Sequence, residues 1–353
     1  MIMRTKILIA KPGGYEQLRL VKEELSAPAP GEVTVKVEGI GVNYADVVIR
    51  WGLYESANKL VGYPITPGFE FAGTVLKVGK DAEENFKEGD PVLGVSFFGA
   101  YASHLNVKAE YLFPLPKSMS MLQGAGFPAA HLTAYHALYQ QFILYPQSQL
   151  LVHSAAGGVG SALVALAKAP REQNHRVVAV VGAPHKVALA RSLGADEVID
   201  KSQEPLWSMA KKYAPHGYDA VFDANGPTTL KQSYLHLAPM GKLVAYGFHS
   251  FFPRKGGRLG VLEYLKMGRD FLSLPRFNPI QMSAENKSLI TFNLSFLFPR
   301  IDLLRSSMLQ MLRWVEEGRL GPPTVQSYPM GEVGRAHQDL ESGQSVGKLV
   351  LIP

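Results

Sequence analysis

The sequence predicts an α/β protein: a doubly wound parallel sheet inserted between two parts of a mostly β domain. Three observations carry this. The stretch 150–168, LLVHSAAGGVGSALVALAK, joins a β-branched apolar run to a small-residue turn and then an Ala-rich helical run. After it, apolar runs and helical patterns alternate, as parallel strands joined by helical crossovers require. Before it, short apolar runs are punctuated by Gly and Pro, as strands and turns are.

Taken in order, 34–37 and 74–78 read as strands. Pro28, Pro30-Gly31, Pro64, Pro67-Gly68, Gly79 and Gly89-Asp90-Pro91 read as turns around them. Near Gln123 the texture becomes helical, with GAGFPAAHLTAYHALYQQF. Strands are expected near 150–153, 176–181, 197–199, 220–223 and 242–246. Helices are expected near 158–168, 185–193, 205–213 and 227–237. A last strand of this series is expected at 288–296, a helix at 302–317 ending at Gly318, and a buried strand at 348–352. No internal repeat or low-complexity segment interrupts the pattern.

The turn after the 150–153 strand has chemical meaning. Ala155-x-Gly157-x-x-Gly160 occupies the frame of the G-x-G-x-x-G fingerprint. Small residues there allow a tight turn, close approach of a diphosphate to the backbone, and close packing of helix on strand. The helix N-terminus then offers Gly158, Val159 and Gly160 N–H groups and a partial positive charge to the anion. The inserted sheet is therefore expected to be Rossmann-type. The partition is a dinucleotide-binding domain at 124–298, between 1–123 and 299–353.

The chain has 353 residues, 46% hydrophobic and 19% charged, which suits two globular domains. No run approaches the roughly 18 apolar residues of a membrane span. The opening MIMRTKILIA is too short in apolar residues for a secretory signal, and a cytoplasmic location is expected. There are no cysteines, so disulfides and thiolate–zinc sites are excluded. The net charge of +6 is spread along the chain rather than blocked. That permits anionic small molecules or an anionic membrane and argues against nucleic acid.

A series of motifs then carries a family resemblance: GVNYADVVIRWGLY (41–54), TPGFEFAGTVLKVG (66–79), GDPVLGV (89–95), HLTAYHAL (131–138), HSAAGGVG (153–160), PMGKLVAYG (239–247) and VGKLVLIP (346–353). The chain resembles the zinc-free quinone-oxidoreductase (zeta-crystallin-like) branch of the medium-chain dehydrogenase/reductase superfamily. Within it, the vesicle amine transport protein subgroup is nearest. Ala165 departs from the Gln usual in the branch and reads as packing variation. The resemblance implies that 1–123 and 299–353 form a GroES-like catalytic domain. It also implies a homodimer, with the 288–296 strand pairing across the two-fold. The zinc alcohol dehydrogenases of the superfamily carry a Cys after GV and a His in a GHE segment. Here those positions are Asn43 and Phe69, and only Glu70 remains. No metal site is expected, and chemistry without a Lewis acid points to quinones or activated alkenes as hydride acceptors.

NADPH is the expected cofactor. NAD sites place an Asp or Glu after the second strand, on the ribose hydroxyls. Here Gly182, Ala183, Pro184 and His185 supply no carboxylate, and Lys186 follows where the branch faces the 2′-phosphate. Lys201 offers a second positive charge. Lys348 reads either as a further cofactor contact or as a surface ion-pair partner. At the nicotinamide end, Asn225-Gly226 and Gly247-Phe248 close two strands, and Thr133 resembles the family's threonine beside the ring. Tyr54 is the leading proton donor to the acceptor. Asn43 is the second candidate, as an amide that orients acceptor or nicotinamide. Asp46 reads as support for its loop, Phe69 and Phe98 as walls or core, and Ser154 as part of the phosphate turn. His131, His136 and His153 lack metal-ligand spacing and read as structural.

The segment 248–287 is longer than a compact connection needs. Aromatic residues (Phe248, Phe251, Phe252, Tyr264) interleave with Arg254, Lys255, Arg258 and Lys266, and a loosely amphipathic helix is expected at 259–267. Lid, peripheral contact with anionic membrane, and dimer element all stay open. Two functions follow. One is a metal-free NADPH-dependent reductase of quinones or α,β-unsaturated carbonyls. The other is an NADPH-binding lipid-transfer or membrane-surface protein with little turnover.

Overall fold

The computed structural model of the chain describes residues 2–252 and 257–353. Strands β1 (Ile2–Leu8) and β2 (Arg19–Leu25) precede the long β3 (Glu32–Val42), which runs into helices α1 (Tyr44–Arg50) and α2 (Glu55–Leu60). β4 (Glu70–Val78), β5 (Pro91–Val95), β6 (His104–Lys108) and β7 (Leu112–Pro114) follow, then α3 (Met121–Ala125) and α4 (Pro128–Tyr135). The alternating stretch comprises β8 (Gln149–Val152), α5 (Gly158–Lys168), β9 (Arg176–Val181), α6 (Val187–Ser192), β10 (Glu197–Asp200), α7 (Leu206–Tyr213), β11 (Tyr218–Asp223), α8 (Leu230–Leu235) and β12 (Leu237–Ala245). After α9 (Val261–Leu272), α10 (Pro279–Glu285) and β13 (Ser288–Thr291) come α11 (Ile301–Glu316), β14 (Val325–Pro329), α12 (Val333–Ser342) and β15 (Lys348–Ile352).

Two compact units result. One comprises Met1–Leu132, Arg254–Leu259 and Leu294–Pro353, the other Thr133–Pro253 and Gly260–Asn293. The first holds a seven-stranded sheet in the order β14-β15-β3-β4-β5-β7, with β6 also paired to β3, and a separate β1–β2 ribbon. Only β14 and β15 are parallel; the remaining pairs are antiparallel. β3 shows how sequence sets this sheet. Val33, Val35 and Val37 alternate into the core, and then Ile40 and Val42 do. The change of phase coincides with a register shift between Val37 and Gly39, which returns apolar side chains to the core face.

The second unit is a six-stranded parallel sheet in the order β10-β9-β8-β11-β12-β13. Val177 to Val181 of β9 are all buried, the unbroken apolar run expected of a strand covered on both faces. Strand order reverses between β8 and β11. In open α/β sheets ligands bind at the carboxyl ends of strands beside such a switch point.

Several element boundaries differ from expectation. The 288–296 strand is only β13, and Leu294–Leu297 form a 3-10 turn. β12 offers Lys242 to Ala245 as partners, and pairing stops with Ala245 opposite Thr291. Phe292 then turns its ring onto His136, 4.7 Å away. The 227–237 helix contracts to α8 because side-chain bonds hold 226–229 as a turn and Leu237 already opens β12. The helix expected at 259–267 is α9, starting where Glu263 accepts the Gly260 N–H at 2.9 Å and running to Leu272.

Candidate active site

The dinucleotide turn is built by backbone contact. Ala155 N–H donates to the Val180 carbonyl at 3.0 Å, tying the turn to β9. A Cβ on Gly160 would lie 2.1 Å from the Ser154 carbonyl oxygen, so only glycine lets α5 pack this closely on the turn. Gly157 is the N-cap, in extended conformation, and Gly158, Val159 and Gly160 form the first turn of the 11-residue α5. Their N–H groups precede any intrahelical partner and aim along the axis, as anion binding at a helix start requires.

Beyond β9, Gly182 lies against Lys201: a Cβ there would be 3.6 Å from the Lys201 Cε. Lys201 N–H donates to the Val181 carbonyl at 3.1 Å. Lys186 closes the next turn by donating its N–H to the Ala183 carbonyl at 3.1 Å, and it is buried. The carboxylate before Lys201, Asp200, accepts from Ser202 N and Oγ at 2.9 and 2.7 Å, so it is engaged locally. Lys186 and Lys201 thus both belong to the loops that follow adjacent strands β9 and β10.

The carboxyl end of β11 is organised by Asp223, which is fully buried. Its Oδ1 accepts from Asn225 N (2.8 Å), Gly226 N (3.1 Å) and Thr229 Oγ1 (2.9 Å), and its Oδ2 accepts from Ser233 Oγ at 2.7 Å. Gly226 has φ +85° and sits under the Phe248 ring, whose Cδ1 would be 2.8 Å from a Cβ. Gly247 closes on Ala224, whose carbonyl oxygen would be 2.9 Å from its Cβ. Thr133 lies on α4, partly exposed. Sequence reasoning missed Asp223; its only signal was an acid at the end of a strand.

In the other unit, Asn43 follows β3 and is the N-cap of α1. Its amide is engaged at both ends: Nδ2 donates to Glu70 Oε1 at 2.9 Å, and Oδ1 accepts from Lys348 Nζ. Glu70 is completely buried; its Oε1 is 2.6 Å from Lys348 Nζ and its Oε2 accepts the Ala129 N–H at 2.7 Å. Lys348 is 4% exposed, so the surface ion-pair reading is corrected: the pair is interior, because β15 pairs directly with β3. Asp46 accepts from Asn43 N (2.8 Å), Gly68 N (2.9 Å) and Tyr101 Oη (3.1 Å), which fixes the loop. Burial pushes its carboxyl up to about 7, against the pull of these donors and Lys348.

Tyr54 is the N-cap of α2, half-buried, with its ring edge-on to Phe69 (5.9 Å) and Phe98 (6.5 Å) in an apolar cluster with Ile9, Ile49 and Ile65. A buried pair that sequence reasoning did not find is Arg50–Glu341, 2.7 Å apart, with Arg50 also donating to the Gly257 carbonyl at 2.8 Å. His131 bonds the Phe127 carbonyl at 2.8 Å, His136 bonds Gln140 at 2.7 Å, and His153 meets Ser233 at 3.1 Å. Burial holds His131 down to about 4 and lowers His153.

The metal position does not fit zinc. Asn43 and Phe69 stand where the zinc enzymes have Cys and His, and Glu70 already carries an ammonium. Among the described residues no group of three or more His, Cys, Asp or Glu is arranged to hold a metal. No described helix is long and apolar enough to cross a membrane. In the 248–287 segment, Val261, Leu262, Leu265, Phe271 and Leu272 of α9 are exposed. Arg254 and Lys255 lie outside the described residues.

A Rossmann-type sheet with a glycine turn at its switch point, on one chain with an antiparallel unit, defines a two-unit dehydrogenase-type oxidoreductase. Comparison agrees. A family model described as alcohol dehydrogenase GroES-like domain matches residues 29–117, and one described as zinc-binding dehydrogenase matches 193–351. Quinone oxidoreductase 1 of Escherichia coli is 31% identical over 353 residues, covering 99% of this chain and 100% of the relative. The human synaptic vesicle membrane protein VAT-1 homolog is 29% identical over 343 residues, covering 97% of this chain and 84% of the relative. The crystal structure of E. coli quinone oxidoreductase complexed with NADPH superposes with a TM-score of 0.81 at 29% identity, covering 99% of this chain and 100% of that one. The chain belongs to the quinone-oxidoreductase family of the medium-chain dehydrogenase/reductase superfamily.

Proposed function

We propose that the protein is a metal-free, NADPH-dependent reductase that transfers hydride to a quinone or an α,β-unsaturated carbonyl. The observation that carries this reading is the Asn43–Glu70–Lys348 cluster. An ammonium occupies the one carboxylate left from the zinc position, so the chain has no Lewis acid there to activate an alcohol. Acceptors that take hydride without a metal remain. When bound, NADPH supplies the hydride from its reduced ring. The glycine turn 155–160 holds the diphosphate, and Lys186 with Lys201 face the 2′-phosphate. Gly182, Asn225, Gly247, Phe248 and Thr133 complete the cofactor contacts.

Reduction builds negative charge on the acceptor oxygen, which calls for a nearby donor. Tyr54 is that donor, its ring held by Phe69 and Phe98. Asn43 acts differently. Its Nδ2 donates to Glu70 and its Oδ1 accepts from Lys348, which fixes the amide, and its second N–H is the group that orients acceptor or nicotinamide. The test is NADPH consumption at 340 nm with a panel of quinones and enones, for wild type and Tyr54→Phe. Enone turnover that falls at least tenfold, about 1.4 kcal/mol, supports both reaction and donor. Turnover unchanged by the substitution removes Tyr54, and tight NADPH binding without turnover on any acceptor removes the reductase.

One observation favours the second reading, an NADPH-binding lipid-transfer or membrane-surface protein. Val261, Leu262, Leu265 and Leu272 are 66–83% exposed on a single helix, beside Lys266 and Arg269. Each basic residue near an anionic surface contributes about 1 kcal/mol. Flotation with anionic vesicles tests it, and protein that never floats ends it. In the same proposal the unit pairs as a homodimer along β13, the edge strand of its sheet; a monomer mass by light scattering would refute this.

A further inference from the structure

We propose that Asn225 is the side-chain donor to an acceptor oxygen on the nicotinamide half of the dinucleotide, and that Ser154 is the positioning residue that aims it. The inference rests on the dinucleotide reading above and deepens it. Asn225 is 8% exposed. Its backbone N–H donates to Asp223 Oδ1 at 2.8 Å, its carbonyl accepts from Ser250 N at 2.8 Å, and its Oδ1 accepts from Ser154 Oγ at 3.1 Å. The one polar atom left is Nδ2, buried and without a hydrogen-bond partner among the described residues. A buried amide N–H group left unmade costs free energy, so native structures rarely keep one without a reason.

Position gives the reason. Ser154 follows β8 and Asn225 follows β11, the two adjacent strands between which the sheet order reverses. Their bond bridges the switch point, where a ligand of an open α/β sheet lies. Ser154 has φ +53°, in the left-handed region that glycine adopts more readily. Glycine would serve the turn but has no hydroxyl. The hydroxyl donates to Oδ1, which fixes the amide flip and presents Nδ2 as a donor. An amide so fixed recognises an acceptor oxygen, as found on the carboxamide or ribose of the nicotinamide half. The adenosine half is met elsewhere, by Lys186 and Lys201 at the ends of β9 and β10.

The experiment is calorimetric titration of the full chain with NADPH and with 2′,5′-ADP, which lacks the nicotinamide half. The proteins are wild type, Asn225→Asp, Ser154→Ala and the double variant. Asn225→Asp replaces the donor by an acceptor of the same shape. It should weaken NADPH at least tenfold and leave 2′,5′-ADP within twofold, which also reports an intact fold. Ser154→Ala should weaken NADPH about threefold, and the double variant should match Asn225→Asp alone, because Ser154 acts through Asn225. Unchanged NADPH affinity in Asn225→Asp, with 2′,5′-ADP still bound, overturns the inference and leaves the dinucleotide reading standing. Should Asn225→Asp not fold, Ser154→Ala decides: NADPH affinity equal to wild type overturns the inference. Wild type that binds neither ligand overturns both.

Discussion

Replacing Lys348 by Met tests whether the Glu70 cluster is structural or belongs to the cofactor. Glu70 is fully buried and would lose an ammonium at 2.6 Å while keeping Asn43 Nδ2 at 2.9 Å and Ala129 N at 2.7 Å. At an effective dielectric constant of about 20, the lost attraction is about 6 kcal/mol before desolvation is counted. Breaking a buried pair from one side costs about 3–5 kcal/mol, because the remaining charge loses its countercharge in the interior. Glu70→Gln should cost a similar amount, since it strands the ammonium on Asn43. The double variant Glu70→Gln/Lys348→Met leaves no stranded charge and should cost far less than the sum of the singles. The assay is urea unfolding at pH 7 by fluorescence and circular dichroism, using midpoints only where the two signals coincide. A buried pair should also respond little to salt. A cost below 1 kcal/mol for Lys348→Met, or strict additivity, would refute the argument. Unchanged stability with weakened NADPH binding would assign Lys348 to the cofactor instead.

Two further outcomes follow from geometry already given. Gly160→Ala places a Cβ 2.1 Å from the Ser154 carbonyl, so the turn must move; we expect a stability loss of about 1–3 kcal/mol and at least tenfold weaker NADPH binding, and wild-type affinity by calorimetry would contradict it. His131 is held down to about 4 by burial, against an ordinary value of 6.5. A depressed histidine gives stability that is present above pH 6.5 and lost as pH falls towards 4. Over that window the loss is about 3 kcal/mol. His131→Gln should flatten the acid side of the stability–pH curve, and equal slopes in the two proteins would count against this origin.

What was legible in the sequence was local. The helix expected at 158–168 is α5, and the strands expected at 176–181 and 348–352 are β9 and β15, because glycine turns and apolar periodicity mark their ends. β13 was overrun because LITFNLSFLF stays apolar past the last residue that β12 can pair. The sites divide in the same way. The Ala155–Gly160 frame is contiguous, and a turn of small residues announces itself. Glu70–Lys348, Arg50–Glu341 and Ser154–Asn225 join residues far apart in sequence, and each partner alone is an ordinary charge or hydroxyl. Nothing in TPGFEFAG or VGKLVLIP tells that the Glu of one meets the Lys of the other.

That long reach bears on the order in which the chain assembles. The Lys348–Asn43 bond spans 305 residues, and the sequence of the parallel-sheet unit lies within the span. Closing a loop of that length costs about 5 kcal/mol of chain entropy by simple polymer scaling. Contacts within Thr133–Pro253 close much shorter loops, so that stretch is the natural early folder. Once it is compact, the two flanks have less chain left to search, and β15 can find β3. Until then Glu70 stands without its countercharge. The seven-stranded sheet is complete only once β15 has paired with β3, and the Asn43–Glu70–Lys348 cluster marks that pairing.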